Sequence, residues 1–289
     1  MKERETPVVV FAGGDLRTVA AARSFALEGR RVLLTGFDRY APPSPPPPGE
    51  ALLQFVHLPE QAIPRGDAVI LPMPYTKGGG VLFAPFSSSA MPLDAVFRLS
   101  DGARAICGGM LPEEEERFFD YCDEPMLLRN ADVTAEGALI LAGQTLPICL
   151  NGARAVVMGY GRIGKRLAAK ARALGCTVTV AARKERDHAL IRMCGHEAIG
   201  FDGLPEALER ADVVFNTVPA EIFSESAFAR LPEHVPLIDL AGGVKLQGER
   251  ILPAPGVPGK YAPETAGRIL KESVERILLR EGILGRCGA

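Results

Sequence analysis

The chain has no long apolar run, no C-x-x-C pair and no excess of basic charge, and each absence removes a class of function. A membrane-spanning helix needs about 20 predominantly apolar residues in a row. The opening MKERETPVVVFAGGD is charged, and its apolar run is too short for a signal or anchor. These features lead us to expect a cytoplasmic protein with no membrane contact. A formal net charge of −2 argues against a nucleic-acid binder, which would carry a basic stripe. The cysteines, Cys107, Cys122, Cys149, Cys176, Cys194 and Cys287, are scattered, with no histidine at ligand spacing. They read as reduced thiols packed in cores rather than as disulfides or a metal site. Histidine is scarce too. His57, His188, His196 and His234 fall in poor places for catalysis, and His188 and His196, flanking a surface helix, read as solvated.

What is present is a regular alternation. Hydrophobic residues make up 47% and charged residues 24% of 289, enough for two ordinary buried cores. Short apolar runs alternate with helical patterns, as parallel sheets built from βαβ units require. In the second half six strands are expected, at RAVVMGY, TVTVAAR, HEAIGF, DVVFNTV, PLIDLA and RILPAPG, with helices near 162–174, 186–194, 203–210 and 224–230. The first half gives PVVVFAG, a helix over Asp15–Glu28, RRVLLTGF, DAVILPMP, ARAICGG and PMLLRN. Between them, APPSPPPPGE excludes helix and ladder alike and reads as a surface connector. VTAEGALILAGQTL predicts a helix joining two α/β domains. The expected plan is a substrate-side doubly wound domain over residues 1–131 and a Rossmann-type dinucleotide-binding domain over 132–289. The last helix, 263–281, packs back on the first domain, and the ligand sits in a cleft between the two.

The sharpest local signal is Gly159-Tyr160-Gly161-Arg162-Ile163-Gly164, a G-x-G-x-x-G between a strand pattern and a helix pattern. Gly159 permits the tight turn, Gly161 lets backbone approach a pyrophosphate, and Gly164 lets the helix lie close to the sheet. An NAD site usually carries an acid about 20 residues on, to bond the ribose 2′-hydroxyl. Here that region reads VAARKE: Ala181 and Ala182 leave room for a 2′-phosphate, and Arg183 and Lys184 offset its charge. NADP is therefore expected over NAD, with Glu185 as the residue that would argue the other way.

NADVTAEGALI, GYGRIG, DVVFNTVPA, LIDLA and above all APGVPGKYAPETAG together resemble the A-subunit family of dipicolinate synthase. FAGGD and LPMPYTKGGG look like the substrate-side domain of that family, and the likeness runs from Val8 to Leu279. The proline-rich segment 41–50 reads as an insertion, and DLAGGVKLQGERIL is compressed. The resemblance implies oxidation, with a nicotinamide cofactor, of the cyclic imine-containing dicarboxylate made by dihydrodipicolinate synthase. Loss of water and hydride gives pyridine-2,6-dicarboxylate, the dipicolinate of spores. It also implies a flavoprotein-like B subunit as partner.

That chemistry needs donors for two carboxylates and acid/base groups at strand ends. Lys260, Thr76 and Asp15 are the catalytic candidates, although Asp15 reads equally as a helix cap. Gly14, Arg17, Tyr75, Lys77, Ser87, Ser88, Tyr261 and Thr265 are the substrate-binding candidates. Asn216, Thr217, Val218 and Pro219 end the fourth strand of the second half and Asp239 the fifth, where such sheets hold their cofactor. Asn130, Thr134 and Glu136 lie at the domain junction, as caps or as site residues. A homo-oligomer is expected. Two other readings stay open: a 2-hydroxyacid-dehydrogenase relative, and a non-catalytic subunit that senses nicotinamide nucleotides.

Overall fold

Alternating apolar runs and helical patterns resolve, in a computed structural model describing residues 6–111, 116–221 and 225–285, into two wholly parallel six-stranded sheets. The chain divides into two units, Met1–Leu127 with Pro263–Ala289, and Leu128–Ala262. The second domain thus ends at Ala262 and not at the end of the chain. Cys287, and Ser224 at the start of the expected helix 224–230, lie outside the described residues.

The first unit runs β1 (Val8–Ala12), α1 (Leu16–Leu27), β2 (Arg31–Thr35), β3 (Gln54–Val56), α2 (Pro59–Ala62), β4 (Ala68–Ile70), α3 (Leu93–Leu99), β5 (Ala105–Gly108) and β6 (Phe118–Asp120). The helix α4 (Glu124–Thr145) then leads into the second unit. Strand order is β3-β2-β1-β4-β5-β6. With crossovers on both faces the strands are buried on both sides, and β1 and β4 are accordingly unbroken apolar runs.

The second unit continues with β7 (Arg154–Met158), α5 (Arg162–Ala173), β8 (Thr177–Ala181), α6 (Glu185–Met193), β9 (Glu197–Ile199), α7 (Leu204–Glu209), β10 (Val213–Asn216), α8 (Glu225–Ala229), β11 (Leu237–Asp239), β12 (Ile251–Pro253) and α9 (Val257–Tyr261). The order β12-β11-β10-β7-β8-β9 is the doubly wound plan, with its switch point between β7 and β10. The last helix, α10 (Pro263–Arg280), belongs to the first unit and lies along α1.

One expected strand is corrected. PMLLRN is not a strand but the start of α4. Asp123 Oδ1 accepts the Met126 N–H at 3.0 Å, and Pro125 sits in the first turn, where its missing N–H costs nothing. A four-residue apolar run cannot separate strand from buried helix by periodicity alone. The sheet is completed instead by the three-residue strands β3 and β6, whose half-exposed Gln54-Phe55-Val56 and Phe118-Phe119-Asp120 carry almost no alternation. Between β12 and the last helix the chain forms one further element. Gly256, at φ 68°, turns the chain into the separate helix α9.

The first unit depends on the close approach of α10 to α1. Gly267 allows it: a Cβ there would lie 2.5 Å from Ala20 Cβ and 2.8 Å from the Arg17 carbonyl. Around this contact, buried Lys271 donates to Glu28 at 2.6 Å and Glu275 at 2.7 Å, and Arg23 bridges Glu50 and Glu264. Replacing Gly267 by Val should force the helices apart and lower stability by roughly 1–3 kcal/mol, measured by equilibrium urea unfolding.

Candidate active site

The carboxyl end of β7 and the first turn of α5 form a tight elbow. Gly159 adopts φ +96°, a left-handed conformation that a Cβ resists, and a Cβ there would lie 2.7 Å from Thr217 Oγ1. A Cβ on Gly164 would lie 2.2 Å from the Gly159 carbonyl oxygen, so the helix can approach only because that side chain is missing. Gly161 differs. It is the N-cap of α5, no side chain caps the helix, and a Cβ would meet nothing within 4 Å. Gly161 therefore leaves open space at the start of the helix, where a helix terminus favours an anion.

Beside the elbow lies a cavity of about 400 Å³ lined by Gly159, Tyr160, Gly161, Ala182, Arg183, Lys184, Asp187, Phe201, Thr217, Val218 and Pro219. Most of the cofactor candidates thus meet at one place, Arg162 and Ile163 following at the start of α5. Arg183 and Lys184 are exposed, just past the end of β8, with Lys184 as the N-cap of α6. Glu185 points elsewhere: it lies 3.4 Å from His188 Nδ1 and 3.6 Å from Arg192. Burial, with the Cys194 thiol 3.7 Å away and the charge of Asp187, pushes the Tyr160 hydroxyl up to about 12. Asp187 and Phe201 were not candidates on sequence grounds. Asp187 lies within an expected helix and Phe201 at the end of the expected strand HEAIGF, and only the folding of α6 and of the turn after β9 brings them to the cavity.

Asn216 and Asp239 stand behind this wall. Asn216 is fully buried; its amide donates to Asp239 Oδ1 at 2.8 Å and to the Val218 carbonyl at 3.1 Å, and its Oδ1 accepts the Val218 N–H. Asp239 accepts the N–H groups of Ala241, Gly242 and Val244 as well. Thr217 Oγ1 donates to the Met158 carbonyl at 2.8 Å. These side chains shape the loops after β10 and β11. Asp239→Ala would leave three N–H groups and one of the two Asn216 amide hydrogens without acceptors, and should lower the thermal midpoint by an amount equivalent to about 3 kcal/mol.

At the end of β12, Lys260 is exposed on α9 with its Nζ 5.2 Å from the Tyr261 ring centroid. A Cβ on Gly137 would lie 2.3 Å from Val257 Cγ1 and 3.3 Å from Tyr261 Cβ, so α9 seats directly on α4. Thr134 donates to the Asn130 carbonyl within α4, and Glu136 pairs with Lys170 at 3.2 Å. Thr265 is exposed on α10, in the first unit.

In the first unit Asp15 is the N-cap of α1, accepting the Arg17 N–H at 3.0 Å. It also holds the buried Arg17 guanidinium at 2.8 Å, which in turn donates to the Met73 carbonyl at 2.9 Å. Burial works against the Arg17 charge, but the Asp15 carboxylate more than offsets it, so its pKa is raised. The Gly14 N–H, at φ +104°, donates to the Phe83 carbonyl at 2.8 Å. Thr76 donates to the Val81 carbonyl at 2.7 Å, Tyr75 exchanges backbone bonds with Gly109 and Phe83, and Lys77 lies 4.0 Å from the centroid of the Phe83 ring. The Ser88 N–H donates to Asp38 at 2.8 Å, and hydrogen bonding from Ser88 lowers the Asp38 pKa. The Ser87 N–H donates to the Ala84 carbonyl.

The two histidines expected in solvent are not there. His188 Nε2 lies 2.8 Å from the Ala182 carbonyl, and His196 is buried with no partner for Nδ1 among the described residues. Burial, helped by Arg172, lowers the His196 pKa, so the folded chain holds the ring neutral while the unfolded chain does not. Its contribution to stability is present above about pH 6.5 and is lost as pH falls toward the folded value. The thermal midpoint should fall between about pH 7.5 and 5.5, and His196→Leu should flatten that slope.

Among the described residues no His/Cys/Asp/Glu cluster could hold a metal, and no helix is long and apolar enough to cross a membrane. Residues 130–254 match the family model of the D-isomer specific 2-hydroxyacid dehydrogenase NAD-binding domain. Together with the open elbow, this makes the chain an NAD(P)-dependent oxidoreductase. Residues 8–126 match the model of the N-terminal domain of the dipicolinate synthase A subunit. The dipicolinate synthase A subunit of Bacillus subtilis (strain 168) is 28% identical over 288 residues, covering 93% of this chain and 95% of that protein. The crystal structure of the A subunit from Bacillus halodurans is 28% identical with a TM-score of 0.75, covering 94% of this chain and 98% of that one. The crystal structure of the Bacillus subtilis A subunit is 26% identical with a TM-score of 0.72, covering 97% and 98%. Over nearly its whole length the chain is similar to the A subunit of dipicolinate synthase.

Proposed function

We propose that the chain forms pyridine-2,6-dicarboxylate from the cyclic product of dihydrodipicolinate synthase, with NADP as hydride acceptor. It would act beside a flavoprotein-like B subunit, as a homo-oligomer, in the cytoplasm of a spore-forming cell. The observation that carries this reading is the glycine elbow at the start of α5, with open space at its N-cap Gly161, in a chain similar to the dipicolinate synthase A subunit along nearly its whole length.

The reaction removes one water, one hydride and one proton from the ring, and aromatisation supplies much of the driving force. The cofactor contributes the hydride acceptor. The protein has to bind, orient and exclude water. In the second unit the first-turn N–H groups from Gly161 to Gly164 receive the pyrophosphate, and Gly159 and Gly164 keep that turn close to the sheet. Ala182 leaves space for a 2′-phosphate, and Arg183 and Lys184 neutralise it. Thr217, Val218 and Pro219 form the opposite wall, held by Asn216 and Asp239.

Lys260 is the proposed proton-transfer or carboxylate-binding group, with Tyr261 and Thr265 as further donors. Gly14, Arg17, Tyr75, Lys77, Ser87 and Ser88 are the proposed carboxylate side of the first unit. Asp15 and Thr76 have their side chains engaged within that unit, so their part in the reaction is positioning: Asp15 fixes Arg17, and Thr76 fixes the turn that carries Lys77.

The match of residues 130–254 to a 2-hydroxyacid dehydrogenase domain favours a second reading, oxidation of a 2-hydroxy acid. Such chemistry calls on a histidine–carboxylate pair above the substrate. The described pair, His188 with Glu185, is instead tied through the ring to the Ala182 carbonyl at 2.8 Å.

A coupled assay separates these readings. Dihydrodipicolinate synthase generates the substrate in place, product is identified by mass, and reduced nicotinamide is followed by absorbance. Cofactor-dependent dipicolinate, faster with NADP than with NAD, is the expected result, in the presence of a B-type subunit if not without it. Arg183→Ala with Lys184→Ala should raise the KM for NADP about tenfold, equivalent to the loss of one charge-assisted contact, and leave NAD within about twofold. No product even with the B-type partner, while nucleotide still binds, would replace the enzyme reading with a nucleotide-sensing protein.

A further inference from the structure

The strand that in many NAD sites ends in an acid ends here in Ala181-Ala182, yet the cavity is not without a carboxylate. Asp187, in the first turn of α6, lines it together with Tyr160, Arg183 and Lys184. Three observations set this side chain apart from an ordinary helix-start acid. It is half-buried, whereas Glu185 beside it is exposed and engaged with His188 and Arg192. Among the described residues it forms no ion pair and accepts no hydrogen bond, although two cations line the same cavity. It also shares the cavity with Gly159, Tyr160 and Gly161 of the glycine-rich turn. A half-buried carboxylate in such a place is an acceptor waiting for a donor.

We infer that Asp187 accepts a hydrogen bond from a ribose hydroxyl of the adenosine half of the cofactor, and so determines how well the site takes NAD. The acid has moved from the end of the strand to the first turn of the following helix. The cavity then holds two devices side by side, a cation pair for a 2′-phosphate and a carboxylate for a free hydroxyl. A phosphate in place of the hydroxyl would be repelled by Asp187 and attracted by Arg183 and Lys184. The balance among these three side chains sets the ratio of the two affinities. This rests on the proposed binding of a nicotinamide dinucleotide in the second unit.

The test is calorimetric titration of the full chain with NADH and with NADPH. Asp187→Asn should weaken NADH about tenfold, as expected for the loss of one charge-assisted hydrogen bond, and should leave NADPH unchanged or tighter. Asp187→Glu, which restores the charge, should recover part of the NADH affinity. Equal weakening of both nucleotides, or no change in either, overturns the assignment even if NADPH binds well. A wild-type chain that binds neither nucleotide overturns the cofactor reading and this inference together. Thermal unfolding of each variant, expected to match the wild type, keeps a folding defect from imitating the result.

Discussion

The second unit's chemistry depends on how closely α5 approaches the end of β7. With 2.2 Å between a would-be Gly164 Cβ and the Gly159 carbonyl, no other residue type fits without moving the helix. That contact aims the helix axis, and with it the positive end of the helix dipole, at one point in space. Everything else around the cavity is arranged relative to that point. Thr217 packs against Gly159 and bonds to the Met158 carbonyl, so the loop after β10 is registered to the same elbow. Asn216 and Asp239 then carry the registration to the loop after β11.

The first unit repeats the strand order and reverses the outcome. Its helix α1 also follows a glycine turn, but here Asp15 caps the helix, Phe83 takes the Gly14 N–H, and Ser88 takes the Asp38 carboxylate at the end of β2. Groups that would otherwise point to a ligand are satisfied by the chain itself. One topology thus yields an elbow with open donors in one unit and a closed one in the other. The difference lies in a cap residue and one long connection, not in the sheet.

This contrast explains what could be read from the sequence. The second sheet was legible because its strands are separated by clear helical patterns, and because GYGRIG is constrained residue by residue. The first sheet was less so: β3 and β6 are three-residue edge strands without alternation, and PMLLRN carries no period of its own. Lys260 and Tyr261 were noted on a motif, but α9, the helix that bears them, gave no separate signal between two prolines and a glycine. Asp187 was invisible for a different reason. Its position is set by the angle at which α6 leaves β8, a tertiary quantity that no local pattern encodes. The histidines illustrate the same limit, since burial of His196 depends on the packing of α5 and α6 against β9 rather than on its neighbours in sequence.

The closed end of the first sheet is held chiefly by main-chain groups. Gly14 N–H to the Phe83 carbonyl, Arg39 N–H to the Phe86 carbonyl and Ser88 N–H to Asp38 all use the backbone of the segment that covers it. Side chains in that segment can therefore drift while the closure persists, provided that no proline removes a donor and the number of residues between β4 and α3 stays the same. What the chain must preserve there is a length, not a set of side chains. Relatives could keep this closure with little similarity in the letters that form it, whereas an insertion of a single residue would shift every bond in the series at once.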